Sequence, residues 1–216
     1  MRTAPLLLVL LTGCAPTATP VTSTTTVTAA PRTPQRLLAG LRVAANRDSA
    51  HYDRGAFGPG WSGTGTAPPL PDGCRARDAV LKRDLTAETL SRTNPCLVIA
   101  GTLADPYTGT TISYHVGRAY EVELDHVVAL GAAWRSGASR WTAARRAAFA
   151  NDTSNMLAVA RRANQEKSSK APDQWKPRRA YWCPYATRWV TVKSAYSLTI
   201  TVRERDALTA MLATCA

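Results

Sequence analysis

The sequence predicts an α+β domain, and three observations carry that reading. Segments with strand and helix periodicity do not alternate regularly, which argues against a parallel α/β sheet. A hairpin signal is present: an apolar, partly β-branched run from Leu97 to Leu103, the turn Asp105-Pro106-Tyr107-Thr108-Gly109, and a returning arm from Thr110 to Val116. Cys74, Cys96, Cys183 and Cys215 form an even set that can staple such a domain.

Taken in order, Leu37 to Arg47 is a candidate first helix, and Gly55 to Gly73, rich in Gly and Pro, reads as loop. Arg77 to Leu85 places Val80, Leu81 and Leu85 at helical spacing. After the hairpin, Glu121 to His126 alternates charged and apolar residues, as a half-buried strand does. Ser139 to Ala150 reads as a helix with Trp141, Ala144, Ala148 and Phe149 on one face and Asn151 as its stop. Asn155 to Val159 is a short strand, and Arg162 to Lys170 a short helix ended by Pro172. Thr201 and Glu204 make a capping box for a last helix carrying Leu208, Met211 and Leu212.

The N-terminus reads differently. Arg2 precedes an apolar run from Ala4 to Leu11, far shorter than the ~20 residues needed to span a bilayer, and fitting the core of a signal peptide. Leu11-Thr12-Gly13-Cys14 resembles a bacterial lipobox, so residues 1–14 are expected to be a lipoprotein signal with Cys14 as the lipid attachment point. Residues 15–35, almost uncharged and rich in Thr, Pro and Ala, are expected to be a disordered tether. Residues 36–216 form the folded domain, which is expected to be monomeric and to face the outside of the cell membrane. In an exported chain the four remaining cysteines read as disulfides. Of three possible pairings, Cys74–Cys96 and Cys183–Cys215 close short loops. A zinc site would want Cys-x-x-Cys spacing, and none occurs.

The formal charge is +12. Between Arg135 and Arg188 twelve Lys or Arg face three acids, so the charge is concentrated in one stretch that would attract a polyanion. Within that stretch and just ahead of it lie Asp125-His126 at a strand end, Asn155 opening the next strand, and Asn164-x-x-Lys167 on the following helix. A neutral imidazole can take a proton from water near pH 7. One carboxylate and one amide oxygen suit a hard cation that keeps several waters. Lys167 projects from the same helix face as Asn164 and is expected to meet a phosphate.

These pieces resemble the HNH, or ββα-metal, nucleases, in which Asp-His ends the first strand, a central Asn follows, and a His or Asn in the helix completes the pattern. The likeness is nearest to exported actinobacterial HNH-family proteins and to the C-terminal nuclease domain of GmrSD-type restriction enzymes. It extends over most of residues 46–215, through Gly73-Cys74, Arg77, Arg83-Asp84-Leu85, Gly101-Thr102-Leu103, Asp105 to Gly109, Asp125 to Leu130 and Trp134. The resemblance implies a ββα-metal core with inserted helices and an N-terminal hairpin. It implies His126 as the general base, Asn155 as the residue holding the His-bearing loop, and Asp125 and Asn164 as ligands of one divalent cation. Mg²⁺ comes first, with Mn²⁺ or Ca²⁺ also admitted by oxygen ligands. The implied substrate is nucleic acid, with DNA favoured, contacted by Lys167, Arg161, Arg162 and Arg77. Arg77, Arg83 and Asp84 also suit surface salt bridges, and Trp134 and Trp141 suit the core. The alternative is a non-catalytic basic lipoprotein that binds DNA or anionic wall polymers through charge alone.

Overall fold

The computed structural model describes residues 33–61, 70–71 and 73–215. The signal segment, Cys14 and nearly all of the tether lie outside the described residues.

Thr33 accepts a hydrogen bond from the Arg36 amide and caps α1 (Pro34–Gly40), with Pro at the start where its missing N–H costs nothing. The helix is shorter than the expected span to Arg47. From Leu41 the chain is extended: the Ala44 amide donates to the Ile200 carbonyl (2.8 Å) and the Ile200 amide to the Arg42 carbonyl (3.0 Å). Tertiary pairing with a distant strand-like segment overrides local helical preference there.

α2 (Ala76–Asp84) runs into β1 (Leu85–Leu90), which β2 (Val98–Ala104) and β3 (Thr111–His115) extend as an antiparallel sheet in the order β1-β2-β3. β1 is missing from the sequence reading because Leu-Thr-Ala-Glu-Thr-Leu is mostly exposed and broken by an irregular register, with Ala87 at φ 49°. Gly109 closes the β2–β3 turn at φ 81°, where a side chain would also collide with Arg178.

β4 (Val122–His126) pairs antiparallel with β5 (Met156–Ala160), Asp125 facing Leu157 and His126 facing Met156. Between them come α3 (Leu130–Arg135), a 3₁₀ turn at Ala138–Arg140 and α4 (Ala143–Asn151), the last capped by Thr142. α5 (Arg161–Lys167) follows β5 directly, and α6 (Trp182–Ala195) and α7 (Val202–Leu212) end the fold. The Thr201–Glu204 capping box is present at α7.

α6 escapes sequence reading for a physical reason. It buries Tyr185, Ala186, Trp189, Val190, Val192 and Lys193 along one face, but a charged lysine stands in that stripe and weakens its apolar signal. Pro184 sits in its first turn, where amides have no intrahelical partner.

The β4–β5 pair lies between two apolar clusters. Leu124, Met156 and Ala158 pack with α2 and the three-stranded sheet, whereas Leu157 and Val159 pack with α3, α4, α6 and α7. Alternation along a strand therefore places Glu123 and Asp125 on the face opposite Leu124. Arg83 and Asp84 brace the same pair: Arg83 donates to the carbonyls of Thr153 and Met156, and Asp84 accepts from the Ala158 amide.

The disulfides are Cys74–Cys96 and Cys183–Cys215, spanning 22 and 32 residues. Chain-entropy arguments assign such loops about 3–4 kcal/mol each. Replacing Cys183 and Cys215 together by Ser should lower unfolding free energy by about that amount in urea titrations, because the bridge ties α6 to the end of α7. A shift below half of it would mean that the unlinked chain is already restrained.

Candidate active site

His126 ends β4 and is almost wholly buried. Its Nε2 lies 2.8 Å from the Ala150 carbonyl. A carbonyl oxygen can only accept, so Nε2 carries the hydrogen and Nδ1 keeps the basic lone pair. Trp61 lies parallel to the ring, at 5.2 Å between centroids and 15° between planes. Burial lowers the imidazole pKa to about 4 against the partial support of the Ala150 bond, and the charges of Arg54 and Lys167 add to the lowering. The ring is therefore neutral at pH 7, the form that can accept a proton.

Asn155 is fully buried and brackets the peptide of Val128: Oδ1 accepts from the Val128 amide (2.9 Å) and Nδ2 donates to the Val128 carbonyl (3.1 Å). Its own carbonyl accepts from the Val127 amide (2.7 Å). These bonds fix the chain leaving His126.

Asp125 is held from two sides. Oδ1 accepts from Lys167 Nζ at 2.8 Å and Oδ2 from the Tyr107 hydroxyl at 2.5 Å. Burial raises its carboxyl pKa, and the charge and hydrogen bond of Lys167 oppose that rise. Lys167 is fully buried and also donates to the His126 carbonyl (2.9 Å). The expectation that it meets a phosphate is corrected: its stem runs inward from α5, and the ammonium serves the Asp125–His126 corner instead.

Asn164, three residues earlier on α5, donates through Nδ2 to Glu123 Oε2 (2.8 Å). A carboxylate only accepts, so Oδ1 is turned away from Glu123. Asp125, His126 and Asn164 line one cleft of about 290 Å³, with Tyr52, Arg54 and Gly131 among its other walls. Among the described residues no three His, Cys, Asp or Glu converge as a metal cage. The oxygens of Asp125, each with a lone pair left over, and Asn164 Oδ1 still fit a hard cation that retains water.

The other basic candidates are placed less centrally. Arg77 hydrogen-bonds the Tyr114 hydroxyl (3.3 Å) and lines a second hollow, which shares Arg54, Leu124 and Asn164 with the first. Arg161 pairs with Glu123 (3.3 Å), which lines that hollow. Arg162 is exposed and pairs with Glu166 one turn on, a surface pair. Sequence reasoning missed Tyr107, Trp61, Arg54 and Glu123 as site residues. Only Glu123 left a signal, since strand alternation puts it on the face of Asp125.

Two antiparallel strands and a helix, with Asp-His closing the first strand and Asn on the helix, define a ββα unit of the HNH type. A family profile described as "GmrSD restriction endonucleases, C-terminal domain" matches residues 75–211. The chain belongs to that family. It is also 41% identical over 189 residues, 85% of each chain, to a protein of Arthroderma benhamiae called "Uncharacterized secreted protein". No solved structure matches.

Proposed function

We propose that the protein is an exported, metal-dependent endonuclease that hydrolyses phosphodiester bonds of nucleic acid, DNA in preference. The observation that carries this is the cleft in which a neutral His126, with Nδ1 left basic, adjoins Asp125 and Asn164. Family membership supports a nuclease-type activity. Two disulfides and the relative described as secreted support a location outside the cytoplasm. Among the described residues no helix is long and apolar enough to cross a membrane. Attachment, on this reading, is through a lipid on Cys14, with residues 15–35 as spacer and a monomeric nuclease domain over 36–216.

In the reaction, His126 Nδ1 takes a proton from water as the water oxygen attacks phosphorus and the bond to the 3′-oxygen breaks. Asn155 holds the loop after His126, and Lys167 with Tyr107 holds the Asp125 carboxylate in place. Asp125 and Asn164 would hold the cation, Mg²⁺ first with Mn²⁺ or Ca²⁺ as alternatives. When bound it would supply Lewis-acid stabilisation of charge on the phosphoryl oxygens and the leaving group. Arg77 and Arg161 stand along the groove as backbone contacts, which position nucleic acid without reading its sequence.

A supercoiled plasmid should be nicked and then linearised in Mg²⁺ or Mn²⁺, and EDTA should stop it. Binding that is strongly salt-dependent, indifferent to chelator and without any nicking would replace the enzyme with a basic binding protein.

A further inference from the structure

The family match begins at residue 75, yet one wall of the cleft comes from chain ahead of it. Tyr52 and Arg54 stand in the cleft with His126, and Arg54 and Trp61 in the adjoining hollow with Asn164. This strap is fastened on both sides of Arg54. Upstream, the Arg47 amide donates to the Arg135 carbonyl (3.0 Å), Trp134 Nε1 to the Asp48 carbonyl (3.0 Å) and Ser139 Oγ to Asp48 Oδ2 (2.7 Å). Downstream, Arg146 Nε donates to the Ala56 carbonyl (2.9 Å), and Phe57 is fully buried between Trp134 and Phe149. Five separate contacts thus hold a short exposed segment against the domain.

What they hold there is a cation without a partner among the described residues. The neighbouring Asp53 turns its carboxylate back onto the Gly55 amide (2.7 Å). Among the described residues the Arg54 guanidinium has no ion pair or hydrogen bond, although it stands in both hollows. Every other basic side chain considered for the substrate is engaged: Lys167 with Asp125, Arg77 with Tyr114, Arg161 with Glu123, Arg162 with Glu166. A planar guanidinium matches two phosphate oxygens at once. We infer that Arg54 is the principal phosphate contact of the cleft, carried into place by a strap that precedes the family-matched region and completes its substrate groove. The inference rests on the nuclease reading for its substrate class.

The test uses the full-length protein with Arg54→Gln, Arg54→Lys and, as a control at an exposed position of α7 that lines neither hollow, Arg203→Gln. Binding of a fluorescein-labelled DNA duplex is followed by anisotropy in EDTA across a salt series, and plasmid cleavage in Mg²⁺ is measured in parallel. Arg54→Gln should bind roughly ten-fold more weakly and lower the salt slope by about one, with cleavage falling at least as much. Arg54→Lys should restore the slope but not the full cleavage rate, since the two-pronged contact is lost. Melting should be unchanged, because the side chain is exposed. If the wild type cuts and Arg54→Gln matches Arg203→Gln in both assays, this inference is overturned and the nuclease reading stands. If the wild type binds without cutting, the nuclease reading fails and Arg54 is judged on the binding series alone. No duplex binding by the wild type overturns both.

Discussion

His126→Ala should leave a folded protein that binds DNA nearly as the wild type does and cuts it 10²–10⁴-fold more slowly, the range expected for removing a general base. Single-turnover cleavage of an end-labelled duplex at saturating protein measures the chemical step apart from binding. The loss should be confined to that step, since His126 contributes little surface to the groove and, among the described residues, its imidazole is hydrogen-bonded only to the Ala150 carbonyl. His126→Gln, which keeps polar bulk under Trp61, should be as inactive as the alanine variant. Cleavage within a few fold of wild type in both variants would move the base elsewhere and leave the Trp61 stack as a packing feature.

Lys167→Met should be the most destabilising single change in the catalytic corner. The ammonium and the Asp125 carboxylate are both buried, 2.8 Å apart, and removing one partner strands the other without solvent. Such losses run to about 3–5 kcal/mol, enough for a large drop in melting temperature. Lys167→Met combined with Asp125→Asn should recover part of that loss, because the stranded charge is gone. A lysine that served the substrate would behave oppositely: its removal would weaken DNA binding and leave melting untouched. The metal ligand proposed at position 125 is thus a carboxylate whose orientation is fixed by two internal donors, a device that favours preorganisation over flexibility.

The hairpin, β4 and the last helix are legible because each obeys a short-range rule: a turn sequence from Asp105 to Gly109 between two strand-forming arms, period-two alternation, a capping box. The disulfide pairing was legible from loop length. Asp125, His126, Asn155 and Asn164 were legible as a spaced set. What escaped was set by burial in three dimensions. The stripe of α6 is blurred because a buried lysine, Lys193, stands in it, and β1 shows no pattern because it is covered along almost none of its length. Helical spacing puts Lys167 on the face of Asn164 but gives no depth, so its full burial is not legible in the sequence. Tyr107 reads as an ordinary turn residue, and nothing local says that its hydroxyl reaches Asp125 across 18 positions of chain. Arg54 lies in a segment without periodicity, and only long-range anchors give it a place.

That reach of Tyr107 limits how the domain can be taken apart. The strand–strand–helix unit from Val122 to Lys167 looks like a transplantable cassette, but Oδ2 of its aspartate finds its donor on the loop between β2 and β3. The same loop is pinned to the cassette at a second point, where Asp105 accepts from the Ala160 amide (3.0 Å). An excised or grafted cassette would open a hydroxyl-sized gap behind its aspartate, so the smallest portable unit has to include the upstream sheet.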